Sequence, residues 1–289
     1  MKWAGFIVLA LALVMIFLAT REEQVDRKPA DDEELTYVYA FDVGQGDSTL
    51  IKTPDETILI DAGNNGKGDD VVRYLKELEI EELTALVATH PDADHIGGLD
   101  DVLSAFEVKS VYAPRVSHTT ETFRDFLLAV KKEGVTIKPV RDGTVIPSES
   151  AELRFLAPIG EGTSDLNSWS AVLRLETGER SFLFMGDAPF RTESLLIDRG
   201  VELQADVLKV GHHGADTSTS LEFLASVAPE RALISAGEGN AYDHPRASVL
   251  RLLKQAGVEI DRTDRSGTIR YATNGETLEW TAIPEMRPE

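Results

Sequence analysis

Histidine is scarce in this 289-residue chain, and five of its six histidines, His90, His95, His212, His213 and His244, directly follow short apolar runs in loops rich in Gly, Asp or Pro. The densest group is His90-Pro91-Asp92-Ala93-Asp94-His95-Ile96-Gly97-Gly98-Leu99, placed after the apolar run Ala85-Leu86-Val87-Ala88-Thr89. Imidazoles and carboxylates therefore project from one strand-to-helix turn that can feed two metal sites. Left unpaired, Asp92 and Asp94 would repel each other, a cost that a nearby cation removes, and mixed His and Asp donors are the usual furniture of divalent-metal sites. The chain contains no cysteine, which excludes thiolate ligands, a cysteine nucleophile and a disulfide framework. The remaining histidine, His118, stands among Ser117, Thr119 and Thr120 and reads as an exposed loop residue.

Such a turn works only if rigid elements hold it. From Tyr37 onward, strand-type runs (YVYAFDV, STLIK, TILIDAG, ALVATH, SVYAP) alternate with helical patterns from Asp69 to Glu79 and after Gly98. The second half repeats the style. It has helices near Thr122 to Glu133, Arg191 to Arg199, Ser220 to Ala228 and Ala247 to Ala256, and strands TIKPV, LRFLAP, AVLRLET, SFLFMGD, DVLKVGHH, ALISAG, TIRYAT and TLEWT. Strands in both halves with helices between them suit two sheets packed face to face with helices outside, an α/β four-layer αββα sandwich. Two further acidic residues end strand runs: Asp61 in Ile-Asp-Ala-Gly and Asp187 in Met-Gly-Asp-Ala.

In this order the motifs resemble those of the metallo-β-lactamase superfamily, with HxDxDHIGGL standing for its HxHxDH signature and the likeness running from Asp42 to about His244. Within that superfamily, FDVGQGDS (41 to 48), DADHIGGL, NSWSAVLRL (167 to 175), FLFMGDA, LKVGHHGADTSTS, and Asn240-x-Tyr242-x-His244-Pro245 after ISAG are similar to the soluble hydrolase domain of ComEC-type DNA-internalisation competence proteins. The resemblance implies the metallo-β-lactamase fold, with one or two divalent ions, Zn²⁺ or Mn²⁺, as cofactor. It implies metal ligation by His90, Asp92, Asp94, His95, Asp187 and His213, with Asp187 shared between two ions and Asp61 orienting a ligand from behind.

Two departures from the superfamily pattern bear on the first site: Asp92 replaces a histidine, and Asn167 and Ser168 stand where another histidine is usual. The first site is thus expected to be poor in imidazole and suited to a harder ion. Neighbouring residues on an extended segment face opposite ways, which favours His213 as the ligand and His212 as a group that handles substrate or a proton. The implied reaction is phosphodiester hydrolysis, with a metal-activated water held near Asp94 and with His212 and His244 in proton transfer. Gln45, Asp47, Asn167, Ser168 and Asn240 are placed beside the substrate. The run Thr217-Ser218-Thr219-Ser220 offers a phosphate its hydroxyls and helix amides, or is simply a helix cap.

Residues 1–20 read as a signal peptide or an uncleaved membrane anchor, because Lys2 precedes an apolar run from Trp3 to Ala19. Residues 21–35 read as a charged linker, and 36–289 as the hydrolase domain. The flanking charges place that domain extracytoplasmically, either anchored with the N-terminus inside or secreted. A formal charge of −21 repels polyanions at long range, yet a nucleic acid remains the substrate that the resemblance implies. The alternatives are a cell-wall or choline-phosphate phosphodiesterase, or a catalytically weak, membrane-tethered binding module. No protein partner is indicated.

Overall fold

Side-chain alternation along the first strands of the computed structural model, which describes residues 34–160 and 164–288, shows how the layers form. The strands are β1 (Thr36–Ala40), β2 (Thr49–Lys52), β3 (Thr57–Ile60), β4 (Glu82–Leu83), β5 (Ala85–Val87), β6 (Glu107–Val108), β7 (Val111–Pro114) and β8 (Ile137–Val140) in the first half. The second half has β9 (Val145–Ile146), β10 (Glu152–Phe155), β11 (Leu173–Thr177), β12 (Arg180–Phe184), β13 (Val207–Lys209), β14 (Arg231–Ile234), β15 (Glu259–Arg262), β16 (Thr268–Thr273) and β17 (Leu278–Ile283). In β1, Val38 and Ala40 join a core between two sheets, while Tyr39 and the following Phe41 join a core under helices. Ile58 and Ile60 of β3 face the first of these cores and Leu59 the second. Burial on both faces is why these strands read as continuous apolar runs.

One sheet has eight strands in the order β17-β16-β1-β2-β3-β5-β7-β8, and the other seven, β15-β14-β13-β12-β11-β10-β9. Between them lie Ile51, Val87, Phe155, Leu175, Phe182 and Tyr271. Outside the first sheet pack α1 (Gly68–Glu77), α3 (Leu99–Ala105) and α4 (Glu121–Glu133), reached past the single turn α2 (Ala93–Ile96). Outside the second pack α5 (Phe190–Asp198), α6 (Leu221–Val227) and α7 (Ala247–Gln255), and a last turn, α8 (Thr263–Ser266), precedes β16. The fold is the expected four-layer sandwich.

Each sheet changes from antiparallel to parallel pairing partway across. β3, β5, β7 and β8 run parallel in the first, and β12, β13, β14 and β15 in the second. Loops leaving the C-terminal ends of β3, β5, β12, β13 and β14 carry Asp61, His90 to His95, Asp187, His212 with His213, and His244. The C-terminal ends of parallel strands are where α/β folds gather ligands, so the topology itself brings the scattered motifs together.

The proposed anchor and most of the proposed linker lie outside the described residues. Among those described, no helix is long and apolar enough to cross a membrane.

Candidate metal centre

Asp61, fully buried and at φ +58°, accepts hydrogen bonds from Thr89 N (2.8 Å), Thr89 Oγ1 (2.6 Å) and His95 Nδ1 (2.7 Å). Because Asp61 takes the Nδ1 proton of His95, Nε2 is the nitrogen that faces the centre and offers a lone pair once its own proton is lost. The same reasoning holds for two more rings. His90 Nδ1 lies 3.1 Å from Thr89 Oγ1, whose own proton goes to Asp61, and His213 Nδ1 donates to the Ser235 carbonyl at 3.0 Å. The Nε2 atoms of His90, His95 and His213 are buried without a hydrogen-bond partner, as is Asp187 Oδ1. Leaving buried polar atoms unsatisfied costs about 1–3 kcal/mol each, which a bound cation would offset.

Asp187, 3% exposed, sits between two groups of donors. Its Oδ1 is 3.2 Å from His95 Nε2 and 3.8 Å from His213 Nε2, and Asp94 Oδ2 is 3.2 Å from His213 Nε2. Its Oδ2 is 3.8 Å from His90 Nε2 and 3.5 Å from His212 Nε2, and Asp92 Oδ2 is 3.4 Å from His90 Nε2. Ligands held about 2.1 Å from a tetrahedral ion stand about 3.4 Å apart, so these separations fit donors arranged around a cation. Among the described residues three trios could close on an ion: His90 with His95 and Asp187, Asp94 with His95 and His213, and Asp47 with Asp187 and His213. Asp92, Asp94 and His212 retain side-chain exposures of 35%, 27% and 27%, which marks the open face of the centre.

His212 departs from the sequence expectation. The segment after β13 is not extended: His212 and His213 both adopt left-handed backbone, at φ 51° and 54°, and His212 N donates to Gly186 O at 3.0 Å. This turn aims both rings at Asp187, each at a different oxygen. Thr217 Oγ1 lies 3.2 Å from His212 Nδ1 and Nε2 faces the Oδ2 group, although among the described residues no trio that could close on an ion includes His212.

Charge couples metal binding at these donors to the loss of protons. Burial alone would raise the Asp187 carboxyl, but the surrounding His95 and His213 hold it well below its ordinary range. Burial would likewise lower both imidazoles, but Asp187 with Asp61 raises His95 well above its usual value, and Asp187 with Asp47 holds His213 at about 10. Both rings are therefore protonated in the metal-free protein at neutral pH, and metal must displace those protons. Calorimetric titration with Zn²⁺ in buffers of differing ionisation enthalpy should show about two protons released per chain at pH 7. Affinity should weaken as pH falls through 8 to 6, and zero release would mean that the rings are already neutral.

The structure reassigns several residues that were placed beside the substrate. Asp47 is 5% exposed, pairs with Lys209 Nζ at 2.8 Å and lies 3.2 Å from His213 Nδ1, so it is hidden behind the ligand that it positions. Ser168 Oγ donates to Asp165 Oδ2 within its own turn (2.7 Å), whereas Asn167 Nδ2 reaches 3.3 Å from His212 Nδ1. Asn240 braces its loop: Nδ2 donates to Gly237 O and His244 O, and Oδ1 accepts from Tyr242 N and His244 N. Gln45 Oε1 accepts from Gly237 N at 3.3 Å, tying that loop to the Gly-Gln-Gly-Asp turn. The anion reading of Thr217 to Ser220 does not hold, because the Glu193 carboxylate already accepts from Thr219 N and Ser220 N. Ser220 Oγ caps α6 by accepting from Phe223 N.

His244 lies at the mouth, its ring 5.6 Å from His212 and 6.3 Å from His213. Burial, then the positive charges of His213 and His212, lower it to about 4, which keeps it neutral. Lys209, Thr89, Ser170 and Ser235 were not singled out in the sequence. Ser170 Oγ accepts from Asp187 N at 3.1 Å, another single polar residue without a motif of its own. Glycine is required at Gly46, where a Cβ would stand 2.4 Å from Asp94 O, and at Gly97, where it would stand 2.2 Å from Asn65 N. Both close approaches press the ligand-bearing turn against its neighbours.

Comparison with known proteins adds a lineage to this geometry. The sequence pattern of the metallo-beta-lactamase superfamily matches residues 41–238. ComE operon protein 3 of Bacillus subtilis is 35% identical over 262 residues, covering 84% of this chain and 34% of that protein. Competence protein ComA of Neisseria gonorrhoeae is 30% identical (91% of this chain, 35% of that protein), and Recombination protein 2 of Haemophilus influenzae 32% identical (84% and 29%). The chain spans about a third of the length of these relatives. Among solved structures, the metallo-beta-lactamase fold protein YhfI from Bacillus subtilis superposes with TM-score 0.56 at 13% identity, covering 83% of this chain and 99% of that one.

Proposed function

The chain belongs to the metallo-β-lactamase superfamily, and from that premise we propose that it is a metal-dependent phosphodiesterase that cleaves nucleic acid outside the cytoplasm. The observation that carries the proposal is the convergence of His90, His95 and His213 Nε2 atoms, buried without hydrogen-bond partners, around Asp187. In this reading His95, His213, Asp94 and Asp187 would hold one ion, and His90, His212, Asp92 and Asp187 would hold the other. Two imidazoles and two carboxylate oxygens on each side suit Zn²⁺ or Mn²⁺. Such ions, when bound, would make water acidic enough to attack at neutral pH and would offset charge on the phosphoryl oxygens.

The protein's own groups do the rest. Asp61 fixes the ring of His95 from behind, and the Ser235 carbonyl that of His213. Asp94, partly exposed and kept ionised by His213 and His95 against its burial, can hold a water proton on the open face. The neutral His244 ring at the mouth can hydrogen-bond a departing oxygen, which takes its proton from water. Relatives named for competence and recombination make nucleic acid the favoured substrate. The hydrolase domain would occupy residues 36–289, held at a membrane if the run from Trp3 to Ala19 is an anchor.

End-labelled single-stranded DNA incubated with the chain and Mn²⁺ should be cleaved, and EDTA should stop the reaction. Asp94→Ala should lower the rate on the order of 100-fold. A variant as fast as the parent would remove Asp94 from the mechanism. Hydrolysis of a small phosphodiester with no DNA cleaved would keep the chemistry and reject the substrate.

A further inference from the structure

Two successive ring pairs lead from solvent to the candidate metal centre. Tyr242, 59% exposed, lies 5.7 Å from the His244 ring at an interplanar angle of 25°, and His244 lies 6.3 Å from the His213 ring at 27°. An aromatic ring so exposed on a loop would ordinarily be free to move, yet this loop is held at several points. Asn240 Oδ1 accepts from Tyr242 N (3.1 Å) and His244 N (3.0 Å), and its Nδ2 donates to His244 O (2.6 Å). Arg246 N then donates to Gly214 O at 2.9 Å, beside the ligand His213. A Cβ on Gly214 would come 2.6 Å from Pro245, so the loop is seated directly on the histidine turn. The backbone of Tyr242 is thus held relative to the histidine turn, with its ring open to solvent.

A formal charge of −21 opposes the approach of a polyanion at long range. Stacking on an aromatic ring supplies affinity that needs no positive charge and accepts any base, since every base has a π-face. Building on the nucleic-acid reading above, we infer that Tyr242 is the platform on which an unpaired nucleobase stacks, which makes single strands the substrate class of this centre. Duplexes hide all but their terminal base faces in their own stack and gain little from it. Tyr242 is a positioning residue and takes no part in the chemistry.

The test measures kcat and KM of the full chain with Mn²⁺ on three substrates: a single-stranded oligonucleotide, the same strand with abasic sites along it, and methyl p-nitrophenyl phosphate. Tyr242→Ala should raise KM for the intact strand about 5- to 100-fold, the range for losing one stacked base. Tyr242→Phe should stay within about twofold of the parent, and neither change should matter for the abasic strand or the small diester. Parent KM should also depend weakly on salt, with a logarithmic slope equivalent to about one or two phosphates. An unchanged KM for Tyr242→Ala on the intact strand would overturn the platform, as would an equal loss on the small diester, which would mean that Tyr242 acts through His244. Cleavage of the small diester with none of either strand would instead overturn the nucleic-acid reading on which the platform rests.

Discussion

Asp187→Asn should abolish binding of both ions and reduce hydrolysis on the order of 10³-fold, the scale of several kcal/mol of transition-state stabilisation. The side chain touches both groups of donors, with His95 and His213 near Oδ1 and His90 and His212 near Oδ2. Asparagine keeps the shape but removes the shared charge, so one substitution damages both sides. It also removes the charge that raises His95 and His213, whose protonation should shift down towards ordinary imidazole values. The variant should therefore remain folded, bind little metal and titrate these rings nearer neutrality, as NMR of the metal-free protein would show. Retention of one tightly bound ion would mean that Asp187 is not the bridge.

Lys209→Met should destabilise the metal-free fold by about 3–5 kcal/mol, because it strands a buried carboxylate. Lys209 is 2% exposed and its Nζ meets Asp47 Oδ2 at 2.8 Å in the interior. Burial would raise the Asp47 carboxyl, but Lys209 and then His213 hold it far below its usual range. A depressed folded value contributes stability above the unfolded carboxyl value and loses it only as pH falls through the depressed one. The pair's contribution is thus intact across pH 5–8. In a chain of this size the loss corresponds to a fall in Tm of roughly 6–20 °C, measured in EDTA to remove any contribution from bound metal. Lys209→Met with Asp47→Leu should recover part of it, since two apolar groups leave no orphaned charge. A single-variant loss below about 1 kcal/mol would show that water reaches Asp47.

The candidate donors were legible in the sequence because each follows an apolar run, and parallel strands deliver their C-terminal ends to one place. Periodicity located the helices from Gly68, Glu121, Phe190, Leu221 and Ala247 to within a residue or two at their ends. It missed β4, β6 and β9, two residues each, because so short a strand has no period to read. β15 and the single turn α8 were missed as well. The orientation of His212 was illegible because it depends on a left-handed turn held by Gly186, a contact between segments distant in sequence. Asp47 looked like a loop residue near substrate because its partner Lys209 lies 162 positions away. The Thr217 to Ser220 run looked open to phosphate because Glu193, which occupies its amides, carries no motif.

The central claim is that the centre holds a pair of divalent ions across Asp187. The chain should be stripped with chelator and titrated with Zn²⁺ or Mn²⁺, with calorimetry and elemental analysis counting the ions bound. About two ions per chain, with His212→Gln and His213→Gln each retaining about one, is the result that this account requires. A parent chain that binds no ion at micromolar metal, with the fold intact, would contradict it.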